Sequence, residues 1–277
     1  MGSDSPDSLD FAGDYNLRGI ILQSHDGDGY DSTTKRRTEG GVNIQNIVTE
    51  LNIFESIDKS SVTGTLVVTD AQNLIGNLPI QGTERIMFKL STPGTDKPEH
   101  IIDASELTGH PFYVYKISNR REIKPGTLVY IIHFGSREFM RNLRVKVSKA
   151  YSGRIDLMVR KILSDKDGID TRKKVYFQPT RNQDKIVIPN LPPFHAIALL
   201  AKRALPENSE ASGYHFYETT KGFHFRSWES MCAHYGRIQR EPVQKFHYSI
   251  QNMTDENLTD NKDTEKMDTS DQKLFQQ

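Results

Sequence analysis

The hydrophobic period of this chain switches at Tyr151–Arg154, and that switch restricts it to a β-rich part followed by a mixed one. Ahead of it apolar residues recur at every second position, the period of a half-buried strand; behind it Ile155, Met158, Val159 and Ile162 fall at helical spacing. In the first part, Leu17–Gln23 is a short apolar run, and a long polar loop follows through Gly41. Val42 and Ile44 then share one strand phase, while Leu51, Ile53 and Ile57 take the other, a slip that predicts a bulge. Val62–Thr69, Arg85–Ser91, Phe112–Ser118, Thr127–Phe134 and Leu143–Lys149 read as further strands, rich in β-branched and aromatic residues and separated by Gly, Pro and Asn turns. In the last, Leu143, Val145 and Val147 alternate with Arg144, Lys146 and Ser148, and Gly135–Arg141 before it reads as a loop. The pattern predicts an antiparallel β-barrel or sandwich.

The second part reads as a small α+β domain. Arg154–Ser164 is an amphipathic helix, Val175–Phe177 and Ile186–Ile188 are short strands, and Pro192-Pro193 opens a second helix running toward Leu205. Tyr214–Glu218 and Phe223–Arg226 form a hairpin around Thr219–Gly222, the glycine supplying a positive-φ turn position. The organisation expected is a flexible arm over 1–17, the β domain over 18–150, the α+β domain over 151–240 and a polar tail over 241–277.

The length of 277 residues suits about two domains. Lys+Arg and Asp+Glu both number 36, so no basic excess argues for nucleic-acid binding. No apolar run reaches the roughly 18 residues of a membrane helix, and the acidic N-terminus has no signal-like apolar core. One cysteine, Cys232, excludes an intrachain disulfide and suits a reducing cytosol or a virion assembled there.

The search for chemistry gives little. Asp26-Gly27-Asp28-Gly29-Tyr30-Asp31 fails the EF-hand pattern, because Tyr30, Asp31 and Arg37 stand where a ligand, the glycine and the bidentate Glu belong. His215, His224, Cys232 and His234 are spaced wrongly for zinc. Cys232 lacks a marked base or orienting partner, and the nucleotide, metalloprotease and nucleophile-elbow motifs are missing. Lys35-Arg36-Arg37 reads as a solvated loop, and the aromatics Phe112, Tyr113, Tyr115, Tyr214, Phe216, Tyr217, Phe223 and Phe225 read as core at strand spacing. The expectation is a non-enzyme with no catalytic residue, no metal and no cofactor.

Four segments go beyond composition. They are Ile53–Ile57 with Gly64–Asp70 and Leu78–Glu84; Tyr113–Asn119 through Tyr130–Phe134 into Lys146–Gly153; Ile188–Phe194 with Leu200–Ala204; and Phe216–Ser227. In order and spacing they resemble the central baseplate hub proteins of contractile-tailed phages (myoviruses), relatives of the hub half of VgrG-type spikes. The resemblance covers about residues 42–230.

It implies a tail-tube-like antiparallel β-barrel followed by a small α+β domain, in a structural subunit of a virion's contractile tail. Such a subunit forms a ring, trimeric in the family, that joins the tail tube to the central spike, touches baseplate wedge proteins and lets DNA pass only through its lumen during ejection. Family members carry a second barrel after the α+β region. Here the chain enters the polar tail instead, which implies a short version, a barrel supplied by another chain, or a truncated sequence. The alternative is a tail-associated carbohydrate- or small-molecule-binding accessory protein using the aromatic hairpin.

Overall fold

Alternating burial along Thr63–Asp70, where every second residue is inaccessible, marks a strand with one face on the core and tells which face it turns inward. A computed structural model describes residues 14–23, 30–31, 36–37, 41–77, 80, 82, 84–93, 101–105, 109–207 and 213–232. The Asp26–Asp31 loop, the basic cluster, the arm and the tail therefore lie largely or wholly outside the described residues.

The strands in order are β1 (Asn16–Gln23), β2 (Tyr30–Asp31), β3 (Arg36–Arg37), β4 (Gly41–Asn43), β5 (Val48–Phe54), β6 (Thr63–Asp70), β7 (Arg85–Ser91), β8 (Ile101–Asp103), β9 (Phe112–Lys124) and β10 (Thr127–Gly135). Then come helix α2 (Arg137–Arg144, after the short α1, Leu74–Asn77), β11 (Val147–Arg154), α3 (Ile155–Ser164), β12 (Val175–Phe177), β13 (Gln183–Leu191), α4 (Pro193–Ala201), β14 (Tyr214–Thr219), β15 (Gly222–Ser227) and α5 (Trp228–Cys232). The residues through Trp228 form one compact unit. No described helix is long and apolar enough to cross a membrane.

The large sheet runs β4-β1-β7-β9-β10-β6-β5, with β8 added on β7, and every pairing in it is antiparallel. Its two ends belong to neighbouring pieces of chain. β4 pairs with β1, β5 pairs with β6, and only residues 44–47 separate them. The sheet is thus rolled until its edges meet along 41–54. No ladder joins β4 to β5 among the described residues, so the sheet is antiparallel and β-rich but is not closed by hydrogen bonds as a full barrel would be. The predicted bulge is present at Thr49, where Val48 opposes Val68 and Glu50 opposes Val67, and a 3₁₀ turn, Gln45–Ile47, precedes it; together they produce the phase slip. Ile44 enters the core at 1% exposure and donates its N–H to the Ile20 carbonyl at 2.8 Å.

Two hydrophobic clusters form. The first gathers Ile20, Leu22, Leu66, Val68, Ile86, Phe112, Tyr130, Ile132 and Phe134 inside the rolled sheet. Phe112 and Phe134 meet with ring centroids 5.1 Å apart. The second packs α3 and α4 against β14 and β15, with Phe194, Phe216 and Phe223 in mutual ring contact.

α2 overturns one expectation. Helix occupies Arg137–Arg144, where a loop and the start of a strand were expected, and Leu143 is exposed. The cause is local chemistry: the Ser136 side chain accepts from the Phe139 N–H at 3.3 Å, Glu138 lies in the first turn, and Arg141 and Arg144 lie in the last. β11 starts at Val147, past the expected strand start. α4 likewise ends at Ala201, before Leu205, and β9 extends to Lys124, past Ser118.

Candidate functional site

Inward positions of a strand normally carry apolar residues, and β14 places Tyr214, Phe216 and Glu218 in that phase. Glu218 is fully buried, and three groups compensate it. The Val62 N–H donates to its Oε2 at 2.8 Å, the Ser136 hydroxyl donates to the same oxygen at 2.7 Å, and Lys173 Nζ donates to Oε1 at 2.6 Å. Lys173 also lies 3.8 Å from Glu138 Oε2, and Thr171 donates to Glu138 Oε1 at 2.8 Å. Burial pushes the Glu218 carboxyl above the usual carboxylate range, Lys173 pulls it down, and Glu138 adds to the rise.

Around this centre the rolled sheet and the α+β elements are tied by further bonds. Arg137 pairs with Asp170 at 2.9 Å and donates to its carbonyl at 2.7 Å. Arg141 donates to the carbonyls of Lys166 and Gly168, the Phe194 N–H donates to Asn142 Oδ1, and the Thr220 N–H donates to Glu55. Glu138, Lys173 and Glu218 are each at most 9% exposed, so no substrate reaches them. Their arrangement holds one half of the unit in register on the other. Sequence reading passed over these residues, although an acid at an inward phase of β14 was a visible signal that a buried partner must exist.

The residues singled out as chemical candidates do not converge. On the β14–β15 hairpin His215 faces Arg226, whereas His224 faces Tyr217, so the two histidines are not cross-strand partners. Cys232 is exposed on α5, and His234 lies outside the described residues. Among the described residues no group of three or more His, Cys, Asp and Glu could hold a metal ion.

The outward face of the three-stranded sheet β12-β15-β14 carries a ring stack. His224 lies between Tyr176, 4.7 Å away at 14°, and Tyr217, 4.8 Å away at 7°. Its Nδ1 is buried without a hydrogen-bond partner, and Thr219 Oγ1 lies 3.3 Å from Nε2. Burial, with Arg226 nearby, lowers the imidazole from 6.5 to about 4. Folding therefore favours the neutral ring. The stability it contributes is complete above 6.5 and is lost as pH falls from 6.5 toward 4. Discounted for the ring's partial exposure, the loss is expected to reach ~2 kcal/mol. Thermal unfolding of the wild type and His224→Phe between pH 7 and 4 checks this. The mutant should lose less stability on acidification, and identical curves would refute the account.

No protein-family model and no curated protein matches the sequence. Among solved structures the chain is similar to the 43 kDa tail protein of prophage MuSo2 from Shewanella oneidensis, at 12% identity and a TM-score of 0.46, over 75% of this chain and 54% of that one. It is similar to the prophage tail protein gp18 from Listeria monocytogenes, at 12% identity and a TM-score of 0.43, over 85% of this chain and 56% of that one. It is also similar to the Escherichia coli c3393 protein, a type VI secretion component with structural similarity to the T4 tail proteins gp27 and gp5, at 10% identity and a TM-score of 0.39 over 68% and 50%. Scores below 0.5 make these coarse likenesses, and the functional reading rests on residues and geometry instead. The chain spans about half the length of the structures it matches.

Proposed function

We propose that this chain is a non-catalytic structural subunit of a phage tail baseplate hub, forming a ring that joins the tail tube to the central spike. The observation that carries the reading is the rolled antiparallel sheet whose two edges meet along 41–54 and expose apolar side chains there. Val42 is 45% exposed, Phe54 48% and Ile57 38%, beside strands that have one ladder partner each among the described residues. A lone subunit would need to blunt such an edge, whereas neighbours in a ring would cover it. Of the hub-like segments, Ile53–Ile57 begins on the edge strand β5, and Gly64–Asp70 lies on β6 beside it. On this reading a barrel is completed in the assembly, and the buried Glu218 junction keeps the α+β half rigid against it.

The ring stack tells against the carbohydrate-binding alternative. Tyr176 and Tyr217 cover both faces of His224 and each give it one face of their own, whereas a sugar would need an open face to stack on. Native mass measurement of the full chain, alone and with the tube and spike proteins of the same virion, tests the reading. A ring of fixed stoichiometry is expected, and a strictly monomeric particle in every mixture would overturn it.

A further inference from the structure

The two edges of β9 are treated differently. One is laddered to β10 from Tyr113 to Lys124. The other meets β7 at Phe112 and Tyr113, and the Val114 N–H donates to the Glu84 carbonyl at 2.9 Å. From Tyr115 onward this second edge has no ladder partner among the described residues, and Asn119–Lys124 is exposed throughout. The backbone N–H and C=O groups of such an edge are a template for another strand. A bulge lies within it. Arg121 pairs with Val129 and Ser118 with Ile131, so Asn119 and Arg120 together oppose Tyr130. Asn119 adopts φ 55°, the left-handed conformation that asparagine tolerates and that suits such a bulge. Arg120 and Arg121 both border the sheet's outer face, at a groove of about 440 Å³ floored by Val67 and Ile131.

Charge selects what this edge can accept. It carries Lys116, Arg120, Arg121 and Lys124 against Glu122, whose carboxylate accepts from the Gly126 N–H at 2.8 Å. No carboxylate of the described residues forms an ion pair with any of the four cations. A basic edge repels a second β9 and favours a strand that carries acids. β5 is such a strand. It pairs with β6 alone among the described residues, and Glu50 within it, with Glu55 and Asp58 just beyond, is exposed.

The β5 and β9 of one chain cannot meet. β10 and β6 lie between them one way round the rolled sheet, three strand spacings or roughly 14 Å, and β7 and β1 lie between them the other way. Between two copies the geometry fits. β9, β10, β6 and β5 alternate in direction, so β9 and β5 run opposite ways. Rotation about an axis along the strands preserves their directions, so a second copy presents its β5 antiparallel to β9 and the sheet continues in the same pattern. The registers set the height. Ser118 pairs with Ile131, Ile131 with Val67, and Val67 with Glu50. At equal height Glu50 of the second copy lands opposite Ser118, with Lys116 on one side and Arg120 on the other.

We propose that β9 of one copy, along Lys116–Lys124, adds to β5 of a second copy as an antiparallel neighbour, with Glu50 of that copy set between Lys116 and Arg120. The inference rests on the ring reading above and names the contact that would build the ring. The test combines sedimentation at low and high salt with hydrogen exchange of the full chain, for the wild type, Glu50→Arg, Lys116→Glu/Arg120→Glu, and the two sets combined. Each reversal alone should weaken association about tenfold at low salt, and the combination should restore it. Association of the wild type should slow exchange along both 116–124 and 48–54. Circular dichroism, with Glu50→Gln and Lys116→Gln/Arg120→Gln as milder changes, excludes misfolding as the cause. Association without rescue, or with exchange along 116–124 as fast as in the dilute chain, overturns the pairing but leaves the ring reading standing. A wild type that never associates overturns both. An oligonucleotide bound by the wild type and lost in Lys116→Glu/Arg120→Glu, with association unchanged, would make the basic edge a phosphate site and overturn the pairing too.

Discussion

Glu218→Ala is expected to destabilise the chain by about 3–5 kcal/mol, because it leaves Lys173 as a buried cation without its 2.6 Å partner. The same change removes the acceptor of the Val62 N–H and of the Ser136 hydroxyl. Ser136 also caps α2, so the first turn of that helix should loosen with it. Replacing the pair together, as Lys173→Met/Glu218→Leu, should cost clearly less than Glu218→Ala alone, since no unpaired charge then stays buried. Denaturant unfolding of the three variants measures this. Hydrogen exchange should report faster exchange at α2 and at the Val62 amide in Glu218→Ala. A single-mutant loss below about 1 kcal/mol would show that the junction contributes little.

Phe134→Ala should cost a similar amount, about 3–5 kcal/mol, by opening a cavity in the first cluster against Phe112. Its neighbour across the ladder makes the test sharper. Gly64 opposes Phe134 in the β6–β10 register, and a Cβ on Gly64 would run into the Phe134 ring and the Asn52 carbonyl. Gly64→Ala in the wild type should therefore cost about 1–3 kcal/mol through overpacking. In the Phe134→Ala background the same methyl enters vacated space, and only the conflict with the Asn52 carbonyl remains. The double mutant should be less destabilised than the two single losses added, by at least about 1 kcal/mol. Strict additivity would mean the backbone, not the ring, excludes a side chain at residue 64.

The period change at Tyr151–Arg154 located the start of α3 to within one residue, because a switch from alternation to helical spacing is a property of neighbouring residues alone, although β11 runs on to Arg154, past the expected strand end at Lys149. Arg85–Ser91 and Val175–Phe177 were legible to the residue for the same reason, and the β14–β15 hairpin followed from Gly222, which does adopt a positive φ of 143°. Where the alternation was shared by two structures, it misled. Leu143, Val145 and Val147 alternate on paper, yet the Ser136 cap starts a helix, and bonds from Ser136 and Glu138 to residues 82 and 33 positions away, Glu218 and Thr171, hold it in place. The slip near Ile47 was visible and a bulge does follow at Thr49, but the 3₁₀ turn ahead of it depended on bringing 41–54 between β1 and β6. The same holds for Glu218 and for the Asn119 bulge. A sequence records that an acid occupies an inward phase or that an asparagine sits in a strand, but the partner that compensates the charge and the strand that fixes the register come from distant chain. Local periodicity thus determined the elements and their order, while only tertiary packing decided which charges are buried, where the sheet's edges meet and which arginines are left facing solvent.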